Sequence, residues 1–155
     1  RVNLRNPSVG GWSTVDGLAN VQKVYERYVP DLVTLSFGVN DANIKLSKQQ
    51  VVDNLKKMMR NIREHAPDVE FIIIVPVYPN PVGVPNVKDF YFSEAYAQLE
   101  GPGVAVVDMC QMQEELLKVK KYVDVSGDNS CHPNDFCMRI YTMGVLSTII
   151  DYEKK

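Results

Sequence analysis

The stretch FIIIVPV, Phe71–Val77, limits the fold more than any other part of the chain. Every residue in it is apolar, so a strand built from it is hydrophobic on both faces. Such a strand belongs inside a sheet covered on both sides, the usual setting of a parallel strand between helical layers. The run is strand-sized and interrupted by proline, whereas a bilayer span needs ~20 apolar residues. DLVTLSFG, Asp31–Gly38, reads as a second buried strand, bounded by Pro30 and Gly38, and VAVVDM, Val104–Met109, as a third. VNLRN, Val2–Asn6, reads as a further short strand ahead of them.

Helical patterns separate these strands. A helix is expected from about Gly17 to Tyr28, stopped by Pro30. Ser47 and Gln50 have the spacing of a capping box. The helix behind them places Val51, Val52, Leu55, Met58, Met59 and Ile62 on one face and ends before Pro67. A short helix over Ser93–Leu99 and another in QEELLKVKKY follow. The last helix is expected from Pro133 to Ile150, with Phe136, Ile140, Met143, Leu146 and Ile150 as its apolar stripe. Strands alternating with helices predict an α/β fold, a three-layer α/β/α sandwich around a parallel sheet. A chain of 155 residues, 45% hydrophobic and 23% charged, suits one such domain over residues 1–155.

The net charge of −2 and the lack of a basic run give nucleic acid or an anionic membrane no electrostatic footing. Cys110, Cys131 and Cys137 form no C-x-x-C pattern. Their odd number favours free thiols, with a Cys131–Cys137 bridge as the alternative.

In parallel α/β sheets, sites form at the carboxyl ends of the strands. At those ends the chain carries NPSVGGWST, GVNDAN and YPNP. In GVNDAN, Asn40 leaves a buried strand with Gly38 and Asp41 beside it; an asparagine amide there can donate to a developing oxyanion, and the same residues also make ordinary turns. Gly10 and Gly11 let backbone N–H groups approach a ligand closely, or simply permit a loop with positive φ. In SGDNSCHPNDF, His132 precedes the last helix and follows Asp128 by four residues. A neutral imidazole suits general-base work when a carboxylate holds its tautomer; the plain alternative is a surface histidine at a helix start. For a metal, no second ligand falls at the usual spacing. His65 reads as a solvated residue at a helix C-terminus.

Taken in order, a glycine after one strand, G-x-N-D after the next and a late His-Pro before the last helix resemble the SGNH/GDSL hydrolase family. NPSVGGWST, PDLVTLSFGVNDAN and CHPNDF are similar to its carbohydrate-esterase-like branch. The resemblance implies a flavodoxin-like sheet of order 2-1-3-4-5. It implies Gly11 N–H and the Asn40 side chain as oxyanion donors, His132 as the base and Asp128 as its orienting acid. Trp12, Asp41, Tyr78 and the proline-rich loop from Tyr78 to Asn86 are candidate substrate contacts. The implied activity is a serine ester hydrolase removing small O-acyl groups, with acetyl on carbohydrate the leading candidate, and no cofactor. A thioesterase or lysophospholipase of the same fold, or a non-catalytic flavodoxin-like binding module, are the alternatives.

Two departures stand out. The family acid usually lies three residues before the histidine, where this chain has Asn129, so Asp124 and Asp135 are further candidates beside Asp128. The Gly-Asp-Ser block is missing. GDNS at Gly127–Ser130 lies beside the histidine instead, and Ser8 and Ser13 read as loop hydroxyls. The chain is therefore expected to be a fragment, inactive by itself. Its first strand and nucleophilic serine are expected from a segment upstream of Arg1 or from a second polypeptide. Val2–Asn6 would then be an edge strand, with a gap between it and Asp31–Gly38.

Overall fold

The structure, a computed structural model, describes residues 2–84 and 86–150. Pro85 of the proline-rich loop lies outside them. Strands β1 (Leu32–Ser36), β2 (Glu70–Val75) and β3 (Val104–Asp108) form one parallel sheet in that order. Val33 pairs with Phe71, and Ile73 with Val106. The all-apolar stretch thus becomes the central strand. Its alternate side chains enter two separate cores: Phe71, Ile73 and Val75 face one side, Ile72 and Ile74 the other.

Helix α3 (Lys48–His65) covers the first side with the six residues expected from its periodicity, and Val51, Val52, Leu55 and Ile62 are completely buried. The Ser47 hydroxyl accepts from Gln50 N–H, and Gln50 Oε1 accepts from Ser47 N–H, so both orphan donors are satisfied reciprocally. The opposite side is covered by α5 (Met109–Leu117) and α6 (Asp135–Ile149), which add Met109, Cys137 and flanking apolar residues to Ile72, Ile74 and Val107. Short helices α1 (Thr14–Ala19), α2 (Val39–Asn43) and α4 (Ser93–Ala97) fill the connections. All three cysteines are free, so Cys131 and Cys137 do not form a bridge. Among the described residues, no helix is long and apolar enough to cross a membrane.

Three expectations need correction. Val2–Asn6 is not a strand: it has no ladder partner among the described residues, and Val2 and Leu4 are exposed. Apolar alternation makes a strand only when a neighbour satisfies its backbone groups. The expected helix over Gly17–Tyr28 is two shorter pieces, α1 and a tight turn over Val21–Val24. Asp16 sets the start of α1 by accepting Ser13 N–H, and Asn20 folds its amide back onto Asp16 O at the other end.

Helix α6 starts at Asp135, with Asn134 as its cap and Pro133 outside it. It also presents a different face. Cys137 and Gly144 are buried, with Ile140, Tyr141 and Val145 packed beside them. Met143 is 64% exposed, and Phe136, Leu146 and Ile150 are also exposed. Both stripes have helical period, so the pattern alone does not choose between them. Gly144 chooses: a Cβ there would sit 2.8 Å from Val107 Cγ1, so the bare backbone seats the helix on β3.

Strand β1 is half covered. Val33 and Leu35 point into the α3 core, while Leu32, Thr34 and Ser36 are exposed. Its outer edge has no strand partner among the described residues.

Gly144→Leu should force α6 off β3 and destabilise the chain by about 2 kcal/mol, the usual cost of overpacking. Gly10→Ala, where an added methyl meets nothing within 4 Å, is the near-neutral control. Urea denaturation of both variants checks this.

Candidate active site

The loop carrying His132 is built around one carboxylate. Asp128 Oδ1 accepts from Ser126 Oγ (3.1 Å) and from the backbone N–H groups of Ser130 (2.8 Å), Cys131 (3.1 Å) and His132 (3.2 Å). Asp128 Oδ2 is left for His132 Nδ1, at 2.5 Å. The turn passes through Asn129 at φ +54°, a left-handed conformation that asparagine tolerates. A short antiparallel bridge between Ser126 and Pro133, with Gly127 N–H donating to His132 O, closes the loop at its base. Asn80 pins its tip by donating to Ser130 O and Asn129 O.

The hydrogen bond from His132, and next that from Ser130 N–H, holds the Asp128 carboxyl well below the usual carboxylate range. Asp128 is therefore ionised at neutral pH. A carboxylate facing Nδ1 favours the proton on that nitrogen and leaves the Nε2 lone pair free, the tautomer a general base requires. Asp124 and Asp135 are engaged elsewhere: Asp124 Oδ2 accepts Lys121 N–H, and Asp135 is the first residue of α6.

Asn40 lies in the first turn of α2, just past the end of β1, and its amide donates to Trp12 O at 3.1 Å. Gly38, before it, has φ +132°, and a Cβ there would lie 3.0 Å from Pro76 Cγ. Gly11 has φ +83° with open space around it, so conformation rather than room requires glycine there. Trp12, Gly38, Asn40, Pro76 and Cys131 line one cleft of about 190 Å³ at the carboxyl ends of β1 and β2. Pro133 lines it as well, so both neighbours of His132 do, and Gly11 adjoins Trp12.

Asp41 and Tyr78, named from the sequence as substrate contacts, belong to the frame. Asp41 is completely buried and accepts from Thr14 N–H (2.8 Å), Thr14 Oγ1 (2.5 Å) and Gly38 N–H (3.1 Å). Tyr78 is buried against the Tyr91 ring, Gln113 holds its backbone on both sides, and burial pushes its phenol up. Ser13 caps α1 by donating to Asp16, and Ser8 is exposed. Sequence reasoning missed Cys131 and Thr14. Cys131 adjoins the candidate base and was legible by position; Thr14 meets Asp41 across 27 positions with no local signal.

The parallel sheet thus carries a carboxylate-bound imidazole and an asparagine amide on the loops around one cleft. Residues 1–140 match the model of the GDSL-like lipase/acylhydrolase family, and the chain belongs to that family. It is 30% identical over 79 residues to an arylesterase of Vibrio mimicus, an alignment covering 51% of this chain and 39% of that protein. Among solved structures it resembles the acetylxylan esterase Axe2 of Geobacillus stearothermophilus, with a TM-score of 0.73 at 17% identity over 90% of this chain and 68% of that one. It also resembles a carbohydrate esterase family 3 protein of Talaromyces cellulolyticus, with a TM-score of 0.70 at 17% identity over 90% and 67%. These likenesses bear out the fold expected from the sequence.

Asp41→Ala should destabilise the chain by about 3 kcal/mol, because three donors lose a buried acceptor together. Chemical denaturation measures the loss. Thr14→Val, which leaves the backbone donor in place, should cost less.

Proposed function

We propose that this chain forms the base and oxyanion side of an esterase that removes small O-acyl groups, acetyl foremost, from carbohydrate or similar alcohols. The observation that carries this reading is His132 held through Nδ1 by Asp128, its two chain neighbours lining the same cleft as Asn40. In this mechanism His132 Nε2 removes the proton of a serine hydroxyl as the oxygen attacks the ester carbonyl. The tetrahedral oxyanion is stabilised by the Asn40 amide and Gly11 N–H. The C–O bond to the alcohol then breaks, and the imidazolium returns its proton to the leaving oxygen. Water repeats the sequence on the acyl-serine. Trp12 and Pro76 bound the acyl side.

The serine is brought by a strand that pairs with the open edge of β1, supplied by an upstream segment or a second polypeptide. What supports this is the bare edge and exposed outer face of β1, ending at Ser36 in the cleft itself. The carbohydrate esterases that the fold resembles support the acyl and alcohol classes.

The test is hydrolysis of p-nitrophenyl acetate by the chain joined to, or mixed with, its serine-bearing strand. Acetate should be cleaved at least about tenfold faster than octanoate, because a small pocket rejects added methylenes. His132→Ala should lower kcat by about 10⁴-fold or more, and Asn40→Ala by about 10²-fold. Asp128→Asn should lower it by more than about tenfold. Full activity in His132→Ala, or none in the completed protein on any ester, defeats the reading and leaves a binding module.

A further inference from the structure

The loop that orients His132 holds three metal-ligating groups of different chemistry. Asp128, Cys131 and His132 each offer one ligand atom, and these atoms all lie within 4.8 Å of one another. These residues fit no standard ligand spacing in the sequence; the tight turn through Asn129 is what gathers them. We propose that Asp128 Oδ2, Cys131 Sγ and His132 Nδ1 form a binding site for a thiophilic divalent cation such as Zn²⁺, and that the ion switches the site off.

One ligand pair already has close to tetrahedral spacing. Cys131 Sγ lies 3.7 Å from His132 Nδ1. Bonds of about 2.3 Å to sulfur and 2.0 Å to nitrogen place those two ligands about 3.5 Å apart at the tetrahedral angle. Asp128 Oδ2 and His132 Nδ1 must separate from 2.5 Å by roughly 0.8 Å to admit the ion. The imidazole has room to do so, the His132 side chain being 78% exposed. The carboxylate stays fixed during that movement, because Oδ1 alone carries the contacts to Ser126, Ser130 and the backbone of Cys131 and His132. A thiolate, an imidazole and a carboxylate together select zinc over magnesium or calcium. The exposed position leaves the fourth place to water.

Binding displaces the Cys131 thiol proton to solvent and moves the imidazole proton from Nδ1 to Nε2. The ring stays neutral, but its free lone pair is now committed to the ion through Nδ1. A base that needs Nε2 unprotonated is thereby disabled, while the fold is untouched. The inhibitory half of this inference rests on His132 being the base; the binding half does not.

Cobalt(II) serves as the spectroscopic probe, because it replaces zinc in such sites and its thiolate complex absorbs in the near ultraviolet. The chain titrated with Co²⁺ should give a thiolate charge-transfer band saturating at one ion per chain, bleached by equimolar Zn²⁺. Cys131→Ser should abolish the band, and Asp128→Asn should weaken binding at least about tenfold. His65→Ala and Cys110→Ser should change nothing. Imidazole NMR should show the His132 proton moving from Nδ1 to Nε2 on adding Zn²⁺. No band in the folded chain, or a band that survives Cys131→Ser, overturns the site whatever the esterase assay shows. In the completed esterase, micromolar Zn²⁺ should inhibit and a chelator restore activity, with Cys131→Ser at least about tenfold more resistant. Equal inhibition of both proteins overturns the switch.

Discussion

The candidate cleft depends on one completely buried carboxylate. Asp41 joins the start of α1 to the end of β1 by accepting two donors from Thr14 and one from Gly38. Thr14 follows Trp12 by two residues, and Gly38 precedes Asn40 by two. The tie therefore brings the glycine-rich loop against the strand exit, and the contact from Asn40 to Trp12 O follows from it. A buried carboxyl group is tolerable only when it is hydrogen-bonded. Here both oxygens accept, and among the described residues no buried side-chain polar atom lacks a partner. Asn54 extends the network by donating to Thr14 Oγ1 from α3, so the largest helix also braces the loop.

The second organising fact is the asymmetry of the sheet. One face carries a continuous core from Val33 in β1 through Phe71 in β2 to Val104 and Val106 in β3, built with α3 and with Phe92 and Tyr96. The other face is sealed over β2 and β3 only, where Gly144 lets α6 come close. The exposed residues Leu32, Thr34 and Ser36 of β1 accompany that gap in cover. The candidate cleft opens at the end of that same strand, through Ser36.

How legible this was in the sequence depended on how local each signal is. FIIIVPV, the Ser47–Gln50 capping box and the stripe from Val51 to Ile62 are short-range patterns, and each became the expected element. The order glycine, Asn40, His132 directed attention to the loops at the carboxyl ends of the strands, where a parallel sheet gathers its connections. Asp128 was legible as a partner of His132 through its spacing, although the role of its second oxygen in building the loop was not. The failures share a cause. Val2–Asn6 has strand composition without a neighbour, and Asp41 looked like a cleft residue because its partner Thr14 is far away in sequence. On α6, two apolar stripes of equal period competed, and a contact between Gly144 and Val107 decided between them. Tyr78 read as an aromatic wall and is instead core, a choice set by Gln113 and Tyr91 from other elements.

The character of β1 has a further consequence for how the chain behaves in solution. Natural sheets guard their margins with charge, proline or a bulge. LVTLS has none of these within it: Pro30 and Asp31 stand just outside, and Leu32 is 42% exposed on the bare flank. A strand uncovered on one face and along one edge is an unselective template for any extended segment of similar composition. Kept without a companion strand, the chain faces colloidal instability rather than unfolding, with association driven by native molecules meeting margin to margin. The associated fraction would then rise with concentration while each molecule remained folded, and lysine or proline placed at Thr34 would act as the missing guard.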